Sequence, residues 1–255
     1  MALVDSLPAS NPDREQPALA VQSDSQRTAR IAGWLFVITF VTSIPELFLY
    51  KPLLKNTRYI FGSGAHTGIA IGATLEIFLA ISGIATAVVL YPIIKRQSQS
   101  ISLGYVASRT LESTIIIVGV ISVLSVVTLR HDVGGAGAAN GASLVLVERA
   151  LVAIHDWTFL LGPGFCAGFG NGILLGYLMY KSGLVPRGMA MLGLIGGTLI
   201  FASGIAIIFG AYKNGSSVAT LFALPEIAWE ASLGIYLIVK GFRPSPILAA
   251  PPVPT

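Results

Sequence analysis

Residues 68–94 read GIAIGATLEIFLAISGIATAVVLYPII, a run of 27 residues with one charged side chain, Glu76. A helix rising 1.5 Å per residue needs roughly 20 apolar residues to cross about 30 Å of hydrocarbon, and this run exceeds that. It lacks the period-two alternation of a membrane barrel strand. Five further blocks are comparably long and apolar: Arg30 to Tyr50, Ser102 to Leu129, Val152 to Tyr180, Gly188 to Tyr212 and Val218 to Val239. Loop chemistry separates them, in Lys51-Pro52, Lys95-Arg96-Gln97-Ser98, the low-complexity run Gly134 to Ser143, Ser182-Gly183 with Pro186, and Asn214-Gly215. The expected fold is an all-α membrane protein, a single bundle of six transmembrane helices over residues 30–243.

Composition agrees with lipid as the main solvent. Of 255 residues, 54% are hydrophobic and 11% charged, with a mean hydropathy of +0.77; soluble domains carry about 25% charged residues. Lys and Arg sit singly at block edges without interleaved aromatics, so the net charge of +4 points to topology rather than to nucleic acid. The single cysteine, Cys166, forms no internal disulfide. Residues 1–29 are polar with no apolar core, which excludes an ordinary cleavable signal peptide and leaves the first span to act as a signal anchor. They, and the Pro-rich residues 244–255, are expected to be disordered tails.

Cations set the expected orientation. One side carries Arg14, Arg27, Arg30, Lys95, Arg96, Lys181, Arg187, Lys240 and Arg243; the other carries Lys51, Lys55, Arg58, Arg130, Arg149 and Lys213, nine against six. The richer side stays in the cytoplasm, which places both termini there. Tyr50, Trp157 and Tyr212 near the outer ends, and Tyr91, Tyr177 and Tyr180 near the inner ends, suit interfacial belts. In the fourth span Gly164, Gly168, Gly172 and Gly176 form one nearly flat face, and Gly193 and Gly197 repeat the spacing in the fifth. Such faces let helix backbones approach closely in lipid, within the bundle or between copies.

Half of the twelve acidic residues fall inside the spans: Glu46, Glu76, Glu112, Asp156, Glu226 and Glu230, joined there by Arg109 and His155. On insertion scales an acid or Arg near a helix centre costs about 2.5–3.5 kcal/mol, whereas each Leu, Ile, Phe or Val returns only about 0.3–0.6 kcal/mol. These groups must therefore face protein, water or a partner. Glu226 and Glu230 share a helix face, as do Arg109 and Glu112. Gly72, Glu76, Ala80, Gly83 and Ala87 form a small-residue stripe that should point Glu76 into the bundle. The helical rise places Glu46, His155 and Asp156 near the outer boundary, Glu76, Glu226 and Glu230 near mid-membrane, and Arg109 with Glu112 toward the cytoplasm. Arg109 balances one carboxylate, and the remaining acids are expected to form a protonatable site.

Pro45, Pro163 and Pro225 each remove an intrahelical hydrogen bond; interrupted helices at membrane depth often line binding sites, and the alternative is a simple kink. No His-Glu-x-x-His, Cys-x-x-Cys or strand-linked glycine loop is present, so neither a metal nor a cofactor is expected. His66 and His131 fall in loops. Ser113, Ser203 and Ser232 are expected to bond helix backbone, and Asn171 to bond across helices.

Four segments, Arg109-Thr110-Leu111-Glu112, His155-Asp156-Trp157-Thr158-Phe159-Leu160-Leu161-Gly162-Pro163, Ser182-Gly183-Leu184-Val185-Pro186-Arg187 and Leu224-Pro225-Glu226-Ile227-Ala228-Trp229-Glu230, resemble the family catalogued as domain of unknown function 4386. The resemblance covers about Arg30 to Ser245. It implies a multi-pass protein of a prokaryotic cytoplasmic membrane and supplies no activity.

The leading expectation is a binding or transport bundle for a small molecule or ion, with Glu76, Glu112, Glu226 and Glu230 as the protonatable site, Arg109 as counter-ion, and His155 with Asp156 at the outer mouth. Glu46, Trp157, Asn171 and Trp229 are secondary candidates. The alternatives are a membrane-embedded enzyme acting on a lipid or isoprenoid, and an accessory subunit whose acids are paired for assembly. The expected partners are the bilayer, a small-molecule or proton substrate, and a second copy of the chain.

Overall fold

The computed structural model describes residues 12–56, 58–62, 66–133 and 141–249, and the side chains among them outside 12–22 and 133. Residues 1–11, 134–140 and 250–255, which hold parts of the expected tails and most of the low-complexity run, lie outside the described residues. The described residues are mostly helical and include no strand: α1 (Pro12–Leu49), α2 (Lys51–Leu54), a 3₁₀ turn (Tyr59–Phe61), α3 (Thr67–Ile94), α4 (Gln99–Val133), α5 (Gly141–Phe159), two wider π-wound segments (Leu160–Cys166 and Gly168–Leu175), α6 (Gly176–Ser182), α7 (Arg187–Ile208), α8 (Ser217–Val239) and α9 (Pro246–Ala249).

Among the described residues five helices are long and apolar enough to cross a membrane: Ser23–Leu49, Thr67–Ile94, Gln99–Asp132, Arg187–Ile208 and Ser217–Val239. The expected fourth span, Val152 to Tyr180, is not one α-helix. It lies in a helical run continuous from Gly141 to Ser182 whose middle is π-wound. Pro163 has no N–H to donate, Gly162 and Gly164 flank it and three more glycines follow by Gly172, so the tighter α ladder is interrupted and the wider winding takes over. The fifth expected span also shortens. Its helix stops at Ile208, and the chain turns at Gly210, φ +78°, leaving Tyr212 in the loop.

Neighbours pack in ring order: α1 on α3, α3 on α4, α4 on α5 and the π-wound run, that run on α7, α7 on α8, and α8 back on α1. Small residues set the close crossings. A methyl on Gly33 would lie 2.7 Å from the Gly234 carbonyl oxygen, and one on Gly196 would lie 2.5 Å from the Glu226 nitrogen. Added carbons at Gly168, Gly172 and Gly176 would all meet the backbone of α7, whereas one at Gly164 would meet only its own helix. Three of the four expected glycines thus serve packing within the bundle. Outward faces carry Trp34, Val41, Phe48, Phe78, Ile81 and Ile121, all exposed. Apolar exposure on this scale belongs in lipid.

The two ends differ. At the end holding both termini, Lys95, Lys181 and Arg187 lie over the rings of Tyr91, Tyr177 and Tyr180. The expected disordered N-terminal tail is helical from Pro12 and packs from Ser25 and Ala29 onward. Gln26 explains this: its amide donates to the Phe242 carbonyl (2.8 Å) and accepts from the Phe242 N–H (3.0 Å). The C-terminal tail is also docked in part, with Ile247 and Leu248 packed on the core and Ser245 Oγ donating to the Ser182 carbonyl. At the far end, the Glu148 carboxylate accepts from the backbone N–H groups of Tyr59 (3.0 Å) and Ile60 (3.4 Å), fastening the α2–α3 connection to α5.

Candidate functional site

The intramembrane acids gather in two layers rather than three. The first lies near the far end. Glu46 sits on the last turn of α1, and the chain turns just after it so that Tyr50 is fully buried. Tyr50 is therefore no interfacial anchor. Its ring lies across Gly72, where a methyl would come within 2.6 Å of it, and its hydroxyl donates to Glu76 Oε2 at 2.7 Å. The small-residue stripe of α3 is buried as expected, and Glu76 is 5% exposed. The carboxyls of Glu46 and Glu76, both buried, lie close enough to interact electrostatically. His155 completes the layer, its ring edge-on to Tyr50 at 5.4 Å between centroids, with Nδ1 buried and unpartnered.

A cleft of about 980 Å³ opens above this layer. Glu46 and His155 are among its lining residues, together with Asp156, Trp157 and Tyr212 and the cations Lys51, Lys55 and Lys213. Asp156 and Trp157 are exposed toward this end, unlike their neighbour His155. The Asn214 side chain donates to the Asp156 carbonyl at 3.3 Å and ties the α7–α8 loop to α5. Tyr212 donates to Ser203 Oγ at 2.8 Å.

The second layer lies deeper, between α3, α4, the π-wound run and α8. Arg109 Nη1 is 2.6 Å from Glu112 Oε2, and Arg109 Nε donates to the Gly83 carbonyl at 3.3 Å. Gly83 makes the room: a methyl there would be 2.9 Å from the guanidinium. Asn171, buried on the π-wound run, donates to Glu230 and accepts at its carbonyl from Trp229 Nε1 at 3.0 Å. Trp229 itself is fully buried, pressed on Gly193. Glu226 occupies a slot left by Gly172 and Gly196, 3% exposed, and neither of its carboxyl oxygens has a hydrogen-bond partner. Ser113 departs from the expectation of bonding its own helix and donates across to the Ala80 carbonyl at 2.9 Å; Ser232 stays on its own helix, at Trp229.

Glu76 thus joins Glu46 and His155, not Glu226 and Glu230, and Arg109 with Glu112 joins the α8 acids. Straight-helix depth misses this because Tyr50 and Arg109 each reach about a turn along the bundle. The sequence points to Tyr50 only as an interfacial residue and to the three cleft lysines only as topology signals, and it gives Glu148 no role. The one available signal was Gly72, a bare position one turn before a buried acid. Glu148 lies outside the expected span, and its buried carboxylate is held by the two backbone N–H donors. Among the described residues no cluster of His, Cys, Asp and Glu could hold a metal ion.

No curated protein and no solved structure matches the chain. The model of the family described as domain of unknown function (DUF4386) matches residues 31–241, which include every member of both layers. The chain belongs to that family.

Proposed function

We propose that the chain is a six-pass protein of a prokaryotic cytoplasmic membrane, with both termini inside, that binds a small molecule from the far, outer side and couples its movement to protons. The helical run from Gly141 to Ser182 supplies the sixth crossing, and the nine-to-six cation asymmetry supports the orientation. The observation that carries the function is a layer of two neighbouring buried carboxyls, Glu76 held by Tyr50 and Glu46 lining an open cleft. Glu226, deeper and without partners, is a second proton-holding position; a buried carboxyl left unsatisfied costs stability, so a fold selected only for stability would not keep it. Ionisable residues at this depth mark ion and proton pathways by default.

The test is proton movement in liposomes with a trapped pH indicator and an imposed pH gradient. The wild-type protein dissipates the gradient faster than empty liposomes, and Glu76→Gln and Glu226→Gln slow it while keeping extraction yield and size-exclusion profile. Flux equal to that of empty liposomes, or undiminished in the Glu76→Gln, Glu226→Gln double variant, removes the reading. A membrane-embedded enzyme is the second reading, favoured by the unpartnered His155 Nδ1 of a residue that lines one cleft with Glu46 and Asp156, residue types suited to acid–base chemistry.

A further inference from the structure

We infer that the far-end cleft is the binding site for a single-chain amphiphile with an anionic phosphate or carboxylate head. This names the substrate class of the proposed function and rests on that reading for its role, though not for the binding itself.

Three observations carry it. First, the cations converge from separate elements. Lys51 opens α2, Lys55 follows it, and Lys213 comes from the α7–α8 loop, yet all three line one cleft. Lys51 is steadied over the Phe48 ring, 4.3 Å from its centroid. Of the two lining acids, Glu46 is buried, so Asp156 is the exposed acid that faces three ammonium groups. Second, the walls are apolar: Leu47, Leu54, Trp157, Phe159, Leu160 and Ile207. At about 980 Å³ the cleft lies at the upper end of the roughly 300–1,000 Å³ usual for small-molecule sites. A purely ionic ligand would leave these walls wet, and a neutral lipid tail would leave the lysines idle. Third, His155 lines the same cleft, 4% exposed, with a buried ring nitrogen that has no partner in the protein. Buried polar atoms are nearly always satisfied; a turn of the ring toward the cleft would let a ligand polar group reach this one. The far end is also the level at which lipid headgroups lie, so an amphiphile can place its head on the lysines and its chain along the walls.

The experiment is titration calorimetry in neutral maltoside micelles with three probes: dodecyl phosphate, inorganic phosphate and dodecanol. Dodecyl phosphate is expected to saturate one site, with the other two binding at least about tenfold more weakly. Lys51→Gln, Lys55→Gln, Lys213→Gln, a triple change at exposed positions that leaves the bundle intact, is expected to weaken dodecyl phosphate by at least about tenfold. Equal affinity for inorganic phosphate would show the walls idle, equal affinity for dodecanol would show the lysines idle, and an unchanged triple variant would do the same; each overturns the inference. In nanodiscs, displacement of dodecyl phosphate by phosphatidylglycerol assigns the site to a bilayer lipid, and retention assigns it to a free amphiphile; either supports the anionic cleft. Binding without proton flux removes translocation and keeps the site, whereas flux without dodecyl phosphate binding removes the site and keeps translocation.

Discussion

Replacing Glu112 by Leu leaves a guanidinium buried with only part of its support. The Arg109 and Glu112 side chains are 4% and 8% exposed and 2.6 Å apart, and the other hydrogen bond of the guanidinium is the longer one to the Gly83 carbonyl, 3.3 Å. Removing one partner of a buried pair costs about 3–5 kcal/mol, most of it the desolvation of the charge left behind. Two features pull the value to the low end. Glu230 lies close enough to interact electrostatically with Arg109. The pair also spans three residues on one helix, so a detergent-denatured chain that keeps its helices loses the pair in the same substitution. The expected loss is therefore about 3 kcal/mol, or roughly 6–12 °C in unfolding midpoint for a chain of this size. Arg109→Leu, Glu112→Leu together should recover at least half of it, because apolar replacement of a whole buried pair is often nearly neutral. The assay is thermal unfolding in maltoside micelles over the full double-mutant cycle. A double variant as unstable as the sum of the two singles would refute the reasoning.

Gly172→Val forces a side chain against the backbone of α7 at Gly197 and the Glu226 carboxyl, and is expected to cost about 3 kcal/mol or more and broaden the size-exclusion peak; Gly188→Ala, with open space around it, should leave both unchanged. Glu148→Leu strands the N–H groups of Tyr59 and Ile60 and should lower stability by about 1–3 kcal/mol, read as a lower midpoint and faster hydrogen exchange around the 3₁₀ turn. Reporter fusions should place Lys240 in the cytoplasm and Asn214 outside; the reverse result would invert the proposed topology.

Helical periodicity made the helices and their inward faces legible, because both depend on local spacing. The stripe from Gly72 to Ala87 is buried as its spacing implies, and Arg109 finds Glu112 three residues away. What spacing leaves open is how far one helix slides along another. Tyr50 lies at the end of an apolar block where anchoring tyrosines are common, and only the α1–α3 crossing at Gly72 turns it inward to Glu76. Lys51 and Lys213 are more than 150 positions apart in the chain and meet only because α2 and the α7–α8 loop close the same end of the ring. The inner edge of the N-terminal tail depends on the same kind of distant contact. Its composition is that of solvated chain, yet a single amide, Gln26, pairs with the Phe242 backbone across the whole sequence.

The buried stripe of α3 connects the two layers. Glu76 accepts from Tyr50, the Ala80 carbonyl accepts from Ser113, and the Gly83 carbonyl accepts from Arg109, three polar contacts about one turn apart on one face. Seven residues, about 10 Å of helix, separate the first from the last. Small residues between them hold α3 close to α1 and α4, so the helix has little room to tilt without breaking a contact. A shift of α3 along its axis acts on all three together. The carboxyl pair under the cleft and the Arg109–Glu112 pair below it therefore share one mechanical element, which is the geometry required if occupancy of the cleft is to alter proton binding in the deeper layer.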